Sequence, residues 1–267
     1  MAILAIIIVL VGLFLFVIKG RHGHKGILAL QKWYYAHRGL HSKDVPENSL
    51  AAFAAAKEAG YGIELDIHLM KDGNLAVIHD ASLKRTAGAD VKIEDLSAKD
   101  LDNYSLEGSS ERIPLFSDVL SLINGEVPLI VELKSVDNNY AALCKAACDM
   151  LGDYHGLYCM ESFDPRCILW LRKNRKDIIR GQLAYNMFRV NAKIPAYMKF
   201  CLRHNLANVF TRPDFIAYGF QDRKVFSNVL CRKIWKMPYV AWTLRSQDEF
   251  ETAVAEGWIP IFENIKP

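Results

Sequence analysis

The sequence has little net charge and contains no long block of charge of one sign. Its 267 residues carry 33 basic and 30 acidic side chains, a formal net charge of +3. A protein that coats nucleic acid would carry a strong basic excess, so this balance excludes nucleic acid as a partner. Hydrophobic residues make up 51% and charged residues 24%, which excludes a disordered or collagen-like chain.

The sequence also lacks a low-complexity linker and any cysteine motif with metal-binding spacing. Its six cysteines include no CxxC or zinc-knuckle pair, so a cysteine-based zinc site is not indicated. Cys144 and Cys148 lie four residues apart in a helical pattern and are predicted to be small core residues. Reduced thiols suit a cytosolic location. The oligomeric state stays open.

Residues 1–18, MAILAIIIVLVGLFLFVI, carry no charge. As a helix they would span about 27 Å, close to the hydrocarbon core of about 30 Å. A cleaved signal peptide would need a basic residue before the apolar run and a small-x-small cleavage site, and neither is present. A buried core helix would usually show a polar face. We therefore predict a single-pass transmembrane anchor over 1–18.

A basic juxtamembrane linker is predicted over 19–32, where Lys19, Arg21 and Lys25 follow the apolar run. By the positive-inside rule this flank stays in the cytoplasm. The domain that follows is therefore expected on the cytoplasmic side of a membrane.

Short apolar runs alternate with amphipathic stretches through the rest of the chain. The candidate strands are 33–38, 62–69, 128–134, 156–161, 178–183, 207–212, 239–244 and 258–263. The candidate helices are 47–59, 116–124, 138–151, 165–174, 194–204, 222–231 and 247–256. This α/β alternation predicts one closed (β/α)8 TIM barrel over 33–267, rather than an open doubly wound sheet.

One further apolar run, 74–80, does not fit the alternation. It follows the second strand after only four residues, which is too short for a parallel crossover. We predict an antiparallel β-hairpin that turns at Asp72–Gly73 and brings His79 opposite Glu64 and Asp66. Residues 81–113 are then a small insertion beside the same end of the barrel.

Acidic side chains gather where the predicted strands end, which is where barrels of this kind place their active sites. Glu64 and Asp66 are two residues apart and share one face of a strand, and Glu132 ends the next barrel strand. Three desolvated carboxylates are costly without a counter-charge. Ca²⁺ and Mg²⁺ prefer such oxygen ligands, so we predict one divalent ion at this site.

Two histidines and two cations accompany the carboxylates. His37 and His79 can serve as acid and base near neutral pH. Arg38 and Lys134 are the kinds of side chain that hold a phosphate. Together with a cation, this set indicates cleavage of a phosphoester. A metal-dependent amidohydrolase is disfavoured, because the first strand lacks an HxH pair.

These residues stand in motifs that resemble the glycerophosphodiester phosphodiesterase family. The motifs are HRG at 37–39, PENS at 46–49, ELD at 64–66, HD at 79–80 and ELK at 132–134. The segments ESFDP at 161–165 and AWTL at 241–244 also resemble family signatures. With the apolar N-terminus, the chain is similar to a membrane-anchored member of bacterial type.

The resemblance implies a distorted TIM barrel that hydrolyses glycerophosphodiesters to sn-glycerol 3-phosphate and an alcohol. It implies an acid/base pair of His37 and His79, with Trp242 lining the glycerol pocket. It also implies phosphate contacts from Arg38 and Lys134. The metal ligands implied are Glu64, Asp66 and Glu132.

Other functions stay open beside this one. One is a lysophospholipase D-like or phospholipase C-like phosphodiesterase on the same barrel, which would act on a lysophospholipid. Another is a non-catalytic barrel that senses a phosphodiester. The roles of Glu47, Arg245 and Glu263 are also open, since the last two depart from the residues usual in the family.

Overall fold

Eight parallel strands form a closed barrel, and a ninth, antiparallel strand is attached to its second strand. The computed structural model describes residues 1–190 and 194–267. The strands are β1 Tyr35–His37, β2 Gly62–Leu69, β3 Leu75–Val77, β4 Leu129–Leu133, β5 Tyr158–Ser162, β6 Arg180–Ala184, β7 Phe215–Gly219, β8 Tyr239–Leu244 and β9 Ile259–Phe262. The predicted (β/α)8 barrel is therefore confirmed.

Helices connect the strands on the outside of the barrel. The α-helices are α1 Ala2–Ile18, α2 Ile27–Leu30, α3 Leu50–Glu58, α4 Lys84–Ala87, α5 Phe116–Ile123, α6 Tyr140–Met150, α7 Pro165–Asn174, α8 Ala196–Arg203, α9 Asn208–Thr211, α10 Phe226–Lys233 and α11 Gln247–Ala255. The 3-10 turns are Ile93–Asp95, Ala98–Asn103, Leu106–Gly108, Leu151–Asp153 and Phe220–Asp222.

The barrel closes where β1 pairs with both β2 and β9. Local sequence signals start several of its helices. Ser49 caps α3 by accepting a hydrogen bond from the backbone N–H of Ala52, and Asp164 caps α7, which begins at Pro165. Both are favoured helix N-terminal arrangements. The order of strands and helices thus follows directly from the alternating pattern of the sequence.

The predicted hairpin is present as β2 and β3, which pair in antiparallel fashion. Gly73, at its tip, has a φ of 85°, a left-handed conformation that glycine adopts without strain. Residues 81–113 follow and form short helices around an apolar cluster that includes Ile78, Leu101 and Leu106. This cluster attaches the segment to the hairpin at the active-site end of the barrel.

The predicted strand at 207–212 is wrong. Residues Asn208–Thr211 form helix α9, and the seventh barrel strand is β7. Pro213, between them, lacks the N–H that a barrel strand would donate. After Asp214, four consecutive side chains are buried, as expected for a barrel strand that is covered on both faces. They are Phe215, Ile216, Ala217 and Tyr218.

Helix α1 does not support the predicted transmembrane anchor. None of the described helices is both long and apolar enough to cross a membrane. The 17 residues of α1 span about 25 Å against a hydrocarbon core of about 30 Å. Its last turn also packs against the barrel: Ile18 is fully buried, and its carbonyl accepts a 2.8 Å hydrogen bond from Asn208 Nδ2.

Candidate active site

Strand register aligns acidic residues across neighbouring barrel strands. His37 on β1 is opposite Glu64 on β2, and Asp66 on β2 is opposite Glu132 on β4. Glu132 is in turn opposite Glu161 on β5. Because these strands are parallel, the side chains meet at the same end of the barrel, where each strand ends. The three carboxylates predicted from the sequence are therefore brought together.

Glu64, Asp66 and Glu132 each offer a carboxylate oxygen, and these oxygens lie within 4.8 Å of one another. All three side chains are buried. Burial, together with the charges of Asp66 and Glu132, raises the pKa of Glu64 well above its ordinary value. Burial also raises the pKa of Glu132 to about 7, although Lys134 opposes this shift. The cluster is thus short of positive charge.

A divalent cation fits this donor set. The three groups offer hard oxygen ligands that are close enough together to bind one shared ion. A cation would offset the free-energy cost of burying the three carboxylates together. Glu161 could add a fourth oxygen, because it lines the cavity that Glu64 and Glu132 also line. Its Oε2 is buried without a hydrogen-bond partner among the described residues. Burial and the nearby Glu132 raise the pKa of Glu161 well above its ordinary value.

A second group of metal-type side chains, His37, His41 and Glu263, lies beside the first. Within it, His37 Nδ1 lies 2.8 Å from Glu263 Oε2, the distance of a hydrogen bond. Burial acts to raise the pKa of Glu263, but the hydrogen bond from His37 and the charge of Arg245 outweigh it and lower the pKa to about 2. Glu263 is therefore ionised and places the proton of a neutral His37 on Nδ1.

His79 is held in the same way on the other side of the carboxylates. Its Nδ1 lies 2.6 Å from Asp80 Oδ1, so Asp80 orients the imidazole. Burial, with the charges of Lys134 and Arg38, lowers the pKa of His79 against the opposing effect of Asp66. Both His37 and His79 line the cavity, and in each the Nδ1–carboxylate bond leaves Nε2 for a ligand.

Arg38 is fixed by a chain of ion pairs that reaches the insertion. Its Nη1 donates to Glu47 Oε1 at 2.8 Å, and its Nε lies 3.4 Å from Asp66 Oδ2. Arg85 donates to the same Glu47 oxygen and to Asp80 Oδ2, both at 2.6 Å. Glu47 therefore orients Arg38, and Arg85 links the two halves of the site.

The backbone around Arg38 is tightly constrained. Arg38 and Gly39 have φ values of 55° and 81°, and a Cβ on Gly39 would lie 2.8 Å from the backbone of Ala52. Asn48, at a φ of 54°, donates from its side chain to Asp66 Oδ2 at 2.9 Å. The HRG and PEN motifs thus pack against each other and orient Asp66.

Lys134 lies among the carboxylates. Its Nζ is 3.0 Å from Asp66 Oδ1 and 2.7 Å from Glu132 Oε1. Burial acts to lower its pKa, but these two carboxylates outweigh burial and raise it, so the side chain stays charged. Lys134 therefore supplies part of the counter-charge that the cluster needs.

A cavity of about 320 Å³ opens at this end of the barrel and is lined by Glu64, Glu132 and Glu161. One wall is polar and contains the two histidines. Another part of the wall is aromatic, where Phe163, Tyr185 and Trp242 pack edge to face with ring centroids 5.5 to 6.1 Å apart. Trp242 Nε1 is buried without a hydrogen-bond partner among the described residues and can donate to a ligand. The cavity therefore offers a ligand both charged groups and an apolar surface.

His68, on β2, is buried. Its Nδ1 lies 2.6 Å from Glu94 Oε1 of the insertion, and its Nε2 lies 3.1 Å from the backbone oxygen of His79. It therefore positions the hairpin that carries His79. His68 is two residues from Asp66 on β2 and therefore lies on the same face of the strand. The insertion packs over His68 and buries it.

Two acidic residues of the site were not assigned from the sequence. Glu263 reaches His37 because β9 pairs with β1, across a separation of 226 residues. Glu161 reaches Glu132 through the register of β4 and β5. The sequence does contain a signal for both residues, because each is a polar residue at the end of a predicted barrel strand, where active-site residues lie.

Comparison with known proteins agrees with this geometry. The model of the glycerophosphoryl diester phosphodiesterase family matches residues 37–262, which is most of the chain. A glycerophosphodiester phosphodiesterase of Caldanaerobacter subterraneus is 41% identical over 108 residues, covering 38% of this chain and 44% of that protein. The mouse lysophospholipase D GDPD1 is 34% identical over 134 residues, covering 45% and 41%. The chain thus spans less than half the length of these curated relatives.

Solved structures share the barrel. A phosphodiesterase of Oleispira antarctica in complex with the product sn-glycerol 3-phosphate has a TM-score of 0.71 at 21% identity, covering 86% of this chain and 92% of that one. A glycerophosphodiester phosphodiesterase of Thermotoga maritima has a TM-score of 0.66 at 24% identity, covering 91% and 96%. From the family match over residues 37–262, the chain belongs to the glycerophosphoryl diester phosphodiesterase family.

Proposed function

We propose that this protein hydrolyses glycerophosphodiesters to sn-glycerol 3-phosphate and an alcohol. The observation that carries the proposal is the pair His37 and His79, each held at Nδ1 by a carboxylate, on one cavity with the acidic cluster. Family membership supports it, and the glycerophosphodiester phosphodiesterase of C. subterraneus is a relative in sequence.

The reaction we propose has two steps. One histidine removes the proton of the glycerol hydroxyl next to the phosphate, and the oxygen attacks phosphorus to form a cyclic phosphate. The bond from phosphorus to the alcohol breaks, and the other histidine protonates the departing oxygen. Water then opens the ring with the two histidines in exchanged roles, so that both return to their starting protonation states.

The remaining residues bind and orient. We propose that Arg38, which lines the cavity, and Lys134, which lies 3.0 Å from Asp66, contact phosphate oxygens, and that Trp242 forms part of the wall for the glycerol end. Glu64, Asp66 and Glu132 would hold one divalent ion, Ca²⁺ or Mg²⁺. When bound, that ion supplies positive charge to the non-bridging oxygens.

The test is an assay of the full chain on glycerophosphocholine, glycerophosphoethanolamine and glycerophosphoglycerol, with product analysis. We expect sn-glycerol 3-phosphate in the presence of Mg²⁺ or Ca²⁺ and none after treatment with a chelator. Turnover that is unaffected by the chelator would contradict the metal site. No turnover of any substrate would favour the non-catalytic phosphodiester sensor.

A lysophospholipid is the second candidate substrate. The aromatic wall continues toward Val190, at the rim of the cavity, and Phe188 nearby is half exposed. An acyl chain could lie on this apolar surface, and the mouse lysophospholipase D relative is consistent with that chemistry. Release of lysophosphatidic acid and free choline from lysophosphatidylcholine would support it, whereas release of phosphocholine would indicate phospholipase C-like cleavage.

We also propose that the catalytic domain acts on the cytoplasmic side of a membrane. Exposed apolar side chains on α1, followed by the basic residues Lys19 and Lys25, support an association with lipid. Protease added outside sealed cells should then leave the barrel intact. Digestion without lysis would exclude this location.

Arg245 is expected to select substrates with a second anionic group. It lines the cavity rim, and its Nη2 lies 3.1 Å from Glu263 Oε2. Replacing it by glutamine should raise KM for a glycerophosphoinositol phosphate about threefold to tenfold, the effect of a half-exposed charge-assisted contact, and leave KM for glycerophosphocholine within about twofold.

The matched control is Arg112→Gln, which removes an exposed arginine of the insertion. If Arg245→Gln raises KM and leaves kcat unchanged, Arg245 acts through substrate binding. A fall in kcat on both substrates, with KM unchanged, would instead show that Arg245 acts by positioning Glu263 and His37.

A further inference from the structure

A second cavity, here called the basic pocket, lies at the opposite end of the barrel from the active site. It lies beside the first residue of β6 and the segment that precedes β7, where these strands begin. Six of its eight lining residues are cationic: Arg21, Arg172, Lys173, Lys176, Arg180 and Arg212. The proposed phosphodiesterase reaction uses none of them, so this pocket needs a separate explanation.

Arg180 is the buried centre of the basic pocket. Only 2% of the residue is exposed. Its Nη2 and Nε donate to the backbone oxygens of Arg212 and Thr211, while Nη1 has no partner among the described residues. Burial and the charges of Arg21 and Arg172 lower its pKa to about 10, so it remains charged at neutral pH. A buried charge of this kind is stabilised by an anion.

The nearby carboxylate does not neutralise Arg180. Asp214 binds Arg21 at 2.5 Å through both of its oxygens and accepts only the backbone N–H of Arg180. Two further arginines donate to backbone oxygens, Arg172 to that of Phe210 and Arg212 to those of Phe16 and Lys19. Hydrogen bonds to carbonyls orient these guanidinium groups but leave their positive charge in place. The pocket therefore has the composition of a phosphate-binding site.

The basic pocket adjoins the end of helix α1. Arg212 Nη1 donates to the backbone oxygens of Phe16 and Lys19 at 2.8 and 2.6 Å, and its guanidinium lies over the ring of Phe16. Beyond this point α1 leaves the barrel. Its large apolar side chains are exposed by half or more from there to its start: Ile3, Leu4, Ile6, Ile7, Ile8, Val9, Leu10, Val11 and Leu13.

Apolar surface beside a phosphate site matches one kind of partner, a bilayer that contains anionic phospholipid. The exposed part of α1, residues 2–13, is about 18 Å long, enough to enter one leaflet of a core about 30 Å thick. A lipid phosphate lies at the edge of that core, which is where the basic pocket lies relative to α1. A soluble phosphate would account for the cations but not for the apolar helix.

We propose that the basic pocket binds the phosphate group of an anionic membrane phospholipid while the exposed part of α1 lies in the hydrocarbon. The basic pocket is separate from the active site, so lipid binding there does not depend on the proposed reaction. It would place the barrel with its base on the membrane and its active site facing away from the lipid.

The experiment is flotation of the full chain with vesicles of phosphatidylcholine alone or with added phosphatidic acid. We expect tighter binding to phosphatidic acid, by about tenfold or more. The triple variant R172Q/K173Q/K176Q should lose most of this preference. The matched control is K71Q/K92Q/K99Q, which removes three lysines of the hairpin and insertion at the other end of the barrel. It should bind as the wild type does.

A charge-conserving variant separates a built pocket from general attraction. Arg180→Lys keeps the net charge but removes the unpartnered Nη1, so it should also lose the preference for phosphatidic acid. Its thermal unfolding is measured alongside, and Arg172→Lys replaces it if the fold is lost. Wild-type binding by the charge-conserving variant would show non-specific attraction and overturn the proposal.

Inorganic phosphate distinguishes the two sources of the anion. Stabilisation by inorganic phosphate that depends on Arg180, with equal binding to both kinds of vesicle, would indicate a soluble ligand and contradict the lipid site. Turnover of a water-soluble glycerophosphodiester should be the same in all these variants, since none of the changed residues lies at the active site. A lost preference for phosphatidic acid with unchanged turnover therefore bears on the pocket alone.

Discussion

Replacing His79 by alanine is expected to lower kcat for glycerophosphodiester hydrolysis by about 10²–10⁴, the usual contribution of a general acid or base. The reason is geometric: Asp80 holds Nδ1 at 2.6 Å and leaves Nε2 to exchange a proton with the substrate. KM should change little, because the proton moves only in the transition state. Steady-state kinetics with detection of sn-glycerol 3-phosphate measures both values.

The control for this variant is His155→Ala, which removes an exposed histidine that does not line the cavity. His79 is one-third exposed, so its replacement should leave the unfolding temperature nearly unchanged. An unchanged kcat would refute the assignment of proton transfer to His79.

His37→Ala should show a loss of the same size, since Glu263 holds its Nδ1 in the corresponding way. The double variant should be only slightly slower than either single variant, because groups that act as one unit are not additive. A double variant that multiplies the two losses would indicate that the two histidines act independently.

Replacing Asp66 by asparagine is expected to weaken binding of Ca²⁺ or Mg²⁺ by about 100-fold or more, beyond the loss typical of residues that only support a ligand. Asp66 lies at the centre of the site, within 3.4 Å of Arg38 and 3.0 Å of Lys134. The change removes an anionic ligand and leaves both cations next to the ion. Calorimetric titration of chelator-treated protein measures the affinity directly, without relying on activity.

Glu126→Gln is the matched control, since it removes an exposed carboxylate of a surface ion pair and should not alter ion binding. Because Asp66 is buried and accepts a hydrogen bond from Asn48, the unfolding temperature of Asp66→Asn is measured as well. Wild-type affinity in a folded Asp66→Asn variant would exclude this acidic cluster as the metal site.

The barrel and most of its site were predictable because strand geometry is local. A period of two residues puts Glu64 and Asp66 on one face of β2, and the four residues after β2 allow only an antiparallel return that brings back His79. Because neighbouring parallel strands end at the same edge of the barrel, Glu132 at the end of β4 is also expected beside Glu64 and Asp66. These inferences need only the order of residues along the chain, and in the structure Glu64, Asp66 and Glu132 lie together.

The errors arose where local pattern was ambiguous. The segments at 207–212 and 215–219 are both short apolar runs, and only the pairing of β7 with β6 and β8 decides which of them is the strand. The uncharged run at 1–18 predicts a helix correctly, but its last turn is buried against α9 and α10, which the pattern does not show.

By itself, then, the sequence determined the barrel, the identity of the residues at its strand ends and the family to which they belong. Tertiary structure alone decided which distant groups act as partners: Glu263 for His37, Glu94 for His68, and three separate segments around Arg180. The physical reason is that tertiary packing joins distant segments: closure of the barrel brings β9 to β1, and the insertion packs over His68 on β2. Carboxylates and cations that lie far apart in the chain then share one desolvated volume, in which each sets the charge and orientation of the other.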